Sequence, residues 1–323
     1  MTMSGQGSAR VRGIRQSGLT PDSLPFREEI RRLREKSHAF ILAHSYQPDE
    51  IQELADTVGD SLALSRAAAE SPHPVIVFCG VRFMAESAKI LSPQKQVLLP
   101  APEAGCPLAD FAEPAQVRQW RRRHPRAAVV AYINSSAAVK AEADICCTSA
   151  NAVRVVASLE EKEIIFLPDR NLGSFVADRL PEKTVHIWPG HCPAHDRLTP
   201  EQIRTNRRLH PRAEVLAHPE CRSEVVAQAD LVGSTAQILT RVRESPAGEF
   251  IIATESGVLP GLRRKYPEKK FYLPSPDLFC PDMKLIGLEK LADALRNRTA
   301  EISVPEEVAA GARRALERML AVS

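Results

Sequence analysis

Long apolar runs are missing from this chain. No window approaches about eighteen uninterrupted apolar residues, which excludes a membrane-spanning helix. A surplus of one charge is missing as well: 43 Lys and Arg face 40 Asp and Glu, so no strong field draws the protein to nucleic acid or to a membrane surface. Neither G-x-G-x-x-G nor G-x-x-x-x-G-K-[ST] occurs, and nucleotide binding loses its usual phosphate cradle. The basic N-terminus lacks the apolar stretch of a secretory signal, and residues 1–25 read as a poorly ordered lead-in. Cysteines number seven, odd and scattered over 323 residues. They make no disulfide framework; in a reducing cytoplasm, metal or catalytic use suits them better. The basic run Arg121–Arg126 reads as a solvated helix end.

What is present is an internal repeat. Three stretches align on His44, Tyr132 and His218, which lie 88 and 86 residues apart, each after an Ala that ends an apolar run. An Asp follows 12 residues later in every copy (Asp56, Asp144, Asp230), and a hydroxyl 17 residues later (Ser61, Ser149, Thr235). Next come the apolar runs "VIVFCG", "IIFLPD" and "FIIATE", then Pro100, Pro189 and Pro274, and after each proline a cysteine: Cys106, Cys192, Cys280. Each unit reads strand, helix, short strand, helix, strand, helix, strand. Continuous apolar strands alternating with helices predict an α/β fold of three similar three-layer α/β/α domains with parallel sheets around a pseudo-threefold axis. The units are expected at 26–107, 108–193 and 194–282, with helices in 283–323 packing back on the first.

In a parallel α/β sheet, ligands bind beyond the carboxyl ends of the strands. The anchors, hydroxyls and cysteines share that edge, so a threefold arrangement brings nine side chains to one cavity. Three converging thiols suggest either zinc or an iron–sulfur cluster. Ligands 86 and 88 residues apart would join domains rather than close a zinc knuckle. A [4Fe–4S] cube on three cysteines leaves one iron free to act as a Lewis acid. Two residues past each anchor stand Tyr46, Asn134 and Glu220, which strand alternation turns the same way. Imidazoles, phenols and a carboxylate suit enolisation, imine chemistry and dehydration. Ser61, Ser149 and Thr235 precede helical runs in N-cap contexts, so three helix starts would favour small, multiply anionic substrates. Cys79, Cys146 and Cys147 do not repeat in phase and read as core residues; Cys221 stays open. The loops "PDRNLGSF" and "TESGVLPGL" are placed on the cavity wall.

The stretches "AHSYQ", "ADTVGDSL", "GVRFMAESAKILSP", "YINSSAAVKA", "DRNLG", "HPEC" and "VGST", with the spaced cysteines, resemble the quinolinate synthase family of bacterial NAD biosynthesis from about residue 25 to 320. The resemblance implies a cytoplasmic enzyme that condenses iminoaspartate with dihydroxyacetone phosphate to quinolinate, losing phosphate and two waters. It implies a [4Fe–4S] cluster on Cys106, Cys192 and Cys280, with the unique iron meeting substrate. His44 and Tyr46 then stand near the condensing carbonyl. Tyr132, Asn134, Ser149, His218, Ser234 and Thr235 contact substrate, and Ser61 contacts the phosphate-bearing one. Glu220 is the acid/base of ring closure, with His44, Tyr46 and His218 as its catalytic companions. An aspartate-oxidising enzyme is the expected transient partner. Some members carry C-x-x-C-x-x-C at the third cysteine; "DLFCPDMK" has one, so no disulfide switch is expected. Two other readings of the same residues are a different hydro-lyase and a cluster-bearing sensor.

Overall fold

A five-residue run such as Val75–Cys79, apolar throughout, needs cover on both faces. In the computed structural model, which describes residues 24–322, all five of its residues are buried. The expected lead-in falls almost wholly outside the described residues; the helix Leu24–Ser37 opens the described chain.

Twelve strands follow in chain order: β1 (Ala39–His44), β2 (Thr57–Gly59), β3 (Val75–Cys79), β4 (Gln96–Leu98), β5 (Ala127–Tyr132), β6 (Ile145–Cys147), β7 (Glu163–Leu167), β8 (Thr184–Ile187), β9 (Glu214–Ala217), β10 (Leu231–Val232), β11 (Glu249–Ala253) and β12 (Lys270–Tyr272). They form three four-stranded sheets, β2-β1-β3-β4, β6-β5-β7-β8 and β10-β9-β11-β12, and the paired strands are parallel. The same order occurs three times, so the repeat in the sequence is a repeat in the fold.

The aspartate that recurs 12 residues after each anchor is a brace. Asp56 Oδ2 accepts the Ile41 N–H at 2.8 Å, Asp144 Oδ2 that of Val129 at 2.7 Å, and Asp230 Oδ2 that of Val215 at 2.7 Å. An arginine from the preceding helix pairs with each: Arg34 at 2.9 Å, Arg121 at 3.0 Å, Arg207 at 2.9 Å. Each carboxylate thus stitches the first strand of its unit to the entry of the second and to the helix before it. Arg121 belongs to the basic run, whose solvated helix end is in part this brace.

In the first and third units the helix cap falls one residue before the hydroxyl that the pattern offers. Ser61 and Thr235 are first helical residues; the caps are Asp60, which accepts the Ala63 N–H, and Ser234, which accepts that of Gln237 in a reciprocal box. In the second unit Asn151 takes the cap position and Ser149 stays in the turn before it. A side chain at the first helical position points sideways from the helix end, so Ser61 and Thr235 line the cavity instead of capping.

The two C-terminal helices close different seams. Leu288–Asn297 lies against Leu24–Ser37 and β3 of the first unit. Glu306–Val322 lies against Ala137–Ala141 and β6 of the second, and also touches Arg82–Leu91 of the first. Gly311 allows this approach: a Cβ there would stand 2.9 Å from the Ala141 carbonyl oxygen and 3.1 Å from its Cα. In an exposed helix, Gly→Ala stabilises by about 1 kcal/mol. Here the sign reverses: Gly311→Ala is expected to cost about 1–3 kcal/mol through overpacking, read as a lower thermal midpoint.

Candidate active site

The carboxyl ends of the three sheets meet around one cavity of about 660 Å³, part of it open to solvent. β1 ends on His44, β5 on Tyr132, and β9 one residue before His218. The loops after β4, β8 and β12 bring Cys106, Cys192 and Cys280. All nine residues expected to converge line this cavity, as do Tyr46, Asn134 and Glu220. Ser234 is not among the lining residues; its hydroxyl is spent on the helix cap.

Tight turns, rather than strand alternation, aim the residues two past the anchors. The Tyr46 N–H donates to His44 Nδ1 at 3.2 Å, and the Glu220 N–H to His218 Nδ1 at 3.3 Å. An imidazole that accepts at Nδ1 is neutral and carries its proton on Nε2. Burial, with the Lys284 charge adding to it, brings His44 down to about 3, and burial brings His218 down to about 3. Both rings therefore present a neutral N–H; His218 Nε2 donates to Ser149 Oγ at 3.1 Å. The 3.5 Å approach of His218 Nδ1 to Glu220 is accordingly no ion pair.

Glu220 is the hub. Tyr132 Oη donates to its Oε1 at 2.8 Å, His195 Nδ1 lies 2.9 Å from Oε2, and Asn134 Nδ2 lies 3.4 Å from Oε1. Burial alone would raise this carboxyl; the facing His218 and His195 and the Tyr132 hydroxyl outweigh it and hold it at about 2. From His195 the chain of hydrogen bonds runs on: Nε2 to Thr254 Oγ1 at 3.0 Å, then to Tyr46 Oη at 2.7 Å, which also meets Thr235 Oγ1 at 2.9 Å. Tyr46 and Glu220 are thus joined by an unbroken file of proton carriers. Asn134 Oδ1 is buried with no partner, an acceptor waiting for a donor in the cavity.

His195 and Thr254 escape the repeat, because neither has an in-phase counterpart of its own kind. The spacing Cys192-x-x-His195 was the available signal. Nor does the pattern flag the carboxylates behind the cysteines. Asp169 accepts the Cys192 N–H and Glu255 the Cys280 N–H, each at 3.2 Å. Lys284 pairs with Glu255 at 3.0 Å. Of the two loops assigned to the wall, "TESGVLPGL" supplies Glu255 to the lining, with Thr254 buried behind it. "PDRNLGSF" stands behind it, where Asn171 Nδ2 donates to the Glu220 carbonyl at 2.9 Å.

A pH dependence follows from His44, His218 and Glu220. Their ordinary values are 6.5, 6.5 and 4.5; folded, they take protons near 3, 3 and 2. Between those limits the unfolded chain holds more protons, so stability rises with pH. The metal-free protein is expected to lose thermal midpoint steadily from pH 6.5 to 4.5. His218→Asn, whose Oδ1 can replace Nδ1 as acceptor, flattens that slope in a thermal-shift series.

The family model of the quinolinate synthetase A protein matches residues 28–321. The chain belongs to the quinolinate synthase family. Quinolinate synthase 2 of Methanosarcina acetivorans is 52% identical over 308 residues, 95% of this chain and 99% of that protein. The quinolinate synthase of Geobacter sp. strain M21 is 52% identical over 92% of this chain and 97% of its own. That of Caldicellulosiruptor bescii is 51% identical over 91% and 97%.

The donor set of this quinolinate synthase family member can be tested against the metals it suggested. Cys106, Cys192 and Cys280 are the half-buried cysteines, whereas Cys79, Cys146, Cys147 and Cys221 are fully buried away from solvent. Cys221, left open by the sequence, sits in the core of the third unit with its thiol toward the Ala253 carbonyl. Burial raises the cavity thiols, Cys280 to about 11, so only a bound cation would keep them ionised near neutrality. The three cavity sulfurs do not all lie within 4.8 Å of one another, whereas one tetrahedral zinc needs sulfurs about 3.8 Å apart. Three thiols from three loops are a donor set that a cluster with a separate iron for each thiolate could use. Cys192, His195 and Glu220 do place one ligand atom each within 4.8 Å, so this thiol has an imidazole and a carboxylate within reach of a shared cation.

Proposed function

We propose that this chain is a quinolinate synthase, condensing iminoaspartate with dihydroxyacetone phosphate to give quinolinate, phosphate and two waters. One observation carries the reading: three half-buried thiols, one from each sheet unit, line the same cavity as a held-down carboxylate and two neutral imidazoles. Cys106, Cys192 and Cys280 would hold a [4Fe–4S] cluster, which supplies a Lewis-acidic iron toward a substrate carboxylate or hydroxyl.

The chain's own groups do the remaining work. His44 aims a neutral Nε2–H donor at a substrate oxygen, polarising a carbonyl without adding charge, and His218 gives its Nε2–H to Ser149 Oγ, whose own proton is then turned to substrate. Ser61, Ser149 and Thr235 add hydroxyls, and the ten-residue helices beginning at Ser61 and Thr235 turn positive ends toward the phosphate and carboxylates. Asn134 Oδ1 accepts from the imine or amine nitrogen. Glu220, ionised, takes a carbon-bound proton, and the file through His195, Thr254 and Tyr46 returns protons to departing hydroxyls on the far side of the cavity. Tyr132 keeps Glu220 oriented while it is charged.

A free imine hydrolyses in water, so iminoaspartate is supplied by an enzyme that oxidises aspartate close by. The setting is the cytoplasm; among the described residues no helix is long and apolar enough to cross a membrane. The test is anaerobic purification, iron and sulfide counts, and chromatographic detection of quinolinate from the two substrates. A reconstituted protein that stays colourless and inactive rules the reading out. Turnover of another polycarboxylate with dihydroxyacetone phosphate omitted points instead to a different hydro-lyase.

A further inference from the structure

A second cluster of metal-ligating side chains lies outside the cavity. His124 ends the helix Pro114–Arg123, Glu163 opens β7 and His186 stands in the adjacent β8. All three are half-buried, and one ligand atom from each lies within 4.8 Å of the others. The two imidazole centroids are 3.8 Å apart. Glu163 spends Oε1 on Arg126 at 2.9 Å and turns Oε2 to His186 Nε2, at 3.5 Å. The Arg126 side chain is 86% exposed and free to swing away from an incoming cation. Two imidazoles and a carboxylate suit a borderline divalent ion. We propose that His124, Glu163 and His186 form a second metal site, which takes a zinc-like divalent cation with its fourth position open to water.

The repeat supplies an independent comparison. Moving 86 residues along the chain gives His210, Arg212, Glu249 and Tyr272 in the third unit. The frame is the same: Arg212 pairs with Glu249 at 2.9 Å, and His210 stacks on Tyr272 with centroids 3.4 Å apart and planes 8° apart. There the phenol donates to Glu249 Oε2 at 3.2 Å, so the cluster satisfies itself. In the second unit an imidazole replaces the phenol. The carboxylate contact lengthens to 3.5 Å, and among the described residues none hydrogen-bonds a His124 ring nitrogen. The frame is structural in both units; the exchange of Tyr for His turns one copy into a set of three under-used donors. Around a tetrahedral ion, ligand atoms sit about 3.4 Å apart, against separations here of at most 4.8 Å.

The chain's two tryptophans stand beside this cluster. Trp120 is 6.1 Å from the His124 ring, and Trp188 is 4.6 Å from Trp120. The test uses anaerobically purified, cluster-loaded protein, equilibrium dialysis against Zn²⁺, and tryptophan emission during a Ni²⁺ titration. The wild type is expected to bind one zinc per chain beyond its iron and to lose emission on adding Ni²⁺. His186→Tyr, which copies the third unit and so keeps the frame, is expected to weaken both effects at least tenfold with iron content unchanged. Glu163→Gln does the same should His186→Tyr fail to fold. An unchanged zinc count in these variants, or emission that ignores Ni²⁺, overturns the proposal.

Discussion

Glu220→Gln lowers kcat by about 10³-fold and leaves the fold intact, the loss expected when a positioned acid–base group is removed. The amide matches the carboxylate in shape and volume, and its oxygen still accepts from Tyr132 Oη, so the 3%-exposed side chain keeps its packing. What goes is the charge that the imidazoles and the phenol hold at about 2. In the proposed reading substrate rests on His44, His218 and the hydroxyls, so KM is expected to move little while kcat collapses; that split distinguishes a proton carrier from a binding group. Unchanged turnover with an unchanged thermal midpoint would take Glu220 out of the chemistry and favour a cluster-bearing sensor.

If the proposed cluster sits on these thiols, Cys106→Ser, Cys192→Ser and Cys280→Ser are each expected to lower the iron of the loaded protein from about four per chain to below one and to abolish turnover. A serine hydroxyl does not ionise at neutral pH and is a hard donor where iron–sulfur chemistry wants a soft one. Cys79→Ser separates ligation from stability. Cys79 is fully buried in β3, so a hydroxyl there costs about 1–3 kcal/mol for want of a partner. The thermal midpoint falls and the iron stays. Retained iron in any one cavity variant would mean that this sulfur is not a ligand. The readout is iron and sulfide analysis with the electron paramagnetic resonance spectrum of the reduced protein.

The parallel α/β fold in three copies was legible because burial on both faces forces continuous apolar strands, and three in-phase copies remove the ambiguity of one. The recurring Asp56, Asp144 and Asp230 were visible too, although only coordinates reveal them as braces. Helix caps slipped by one residue in the first and third units, since Asp60 and Ser234 cap as well as the hydroxyls beside them, and by two in the second, where Asn151 takes the place. The aim of Tyr46 and Glu220 was predicted for the wrong reason: a turn closed on an imidazole nitrogen sets it. His195 and Thr254 were beyond the pattern. Their importance comes from linking Glu220, within the third unit, to Tyr46 of the first, which no period along the chain encodes. The path of Glu306–Val322 to the second unit likewise rests on one missing methyl, at Gly311.

At corresponding strand ends the three sheets present His44 with Tyr46, Tyr132 with Asn134, and His218 with Glu220. Identical scaffolding thus carries unlike corners. A guest with two different ends meets an acid-rich wall, an amide wall and an imidazole wall in fixed rotation, so only one of its possible seatings matches all of them. Duplication built the room; divergence of a few side chains gave it a front and a back.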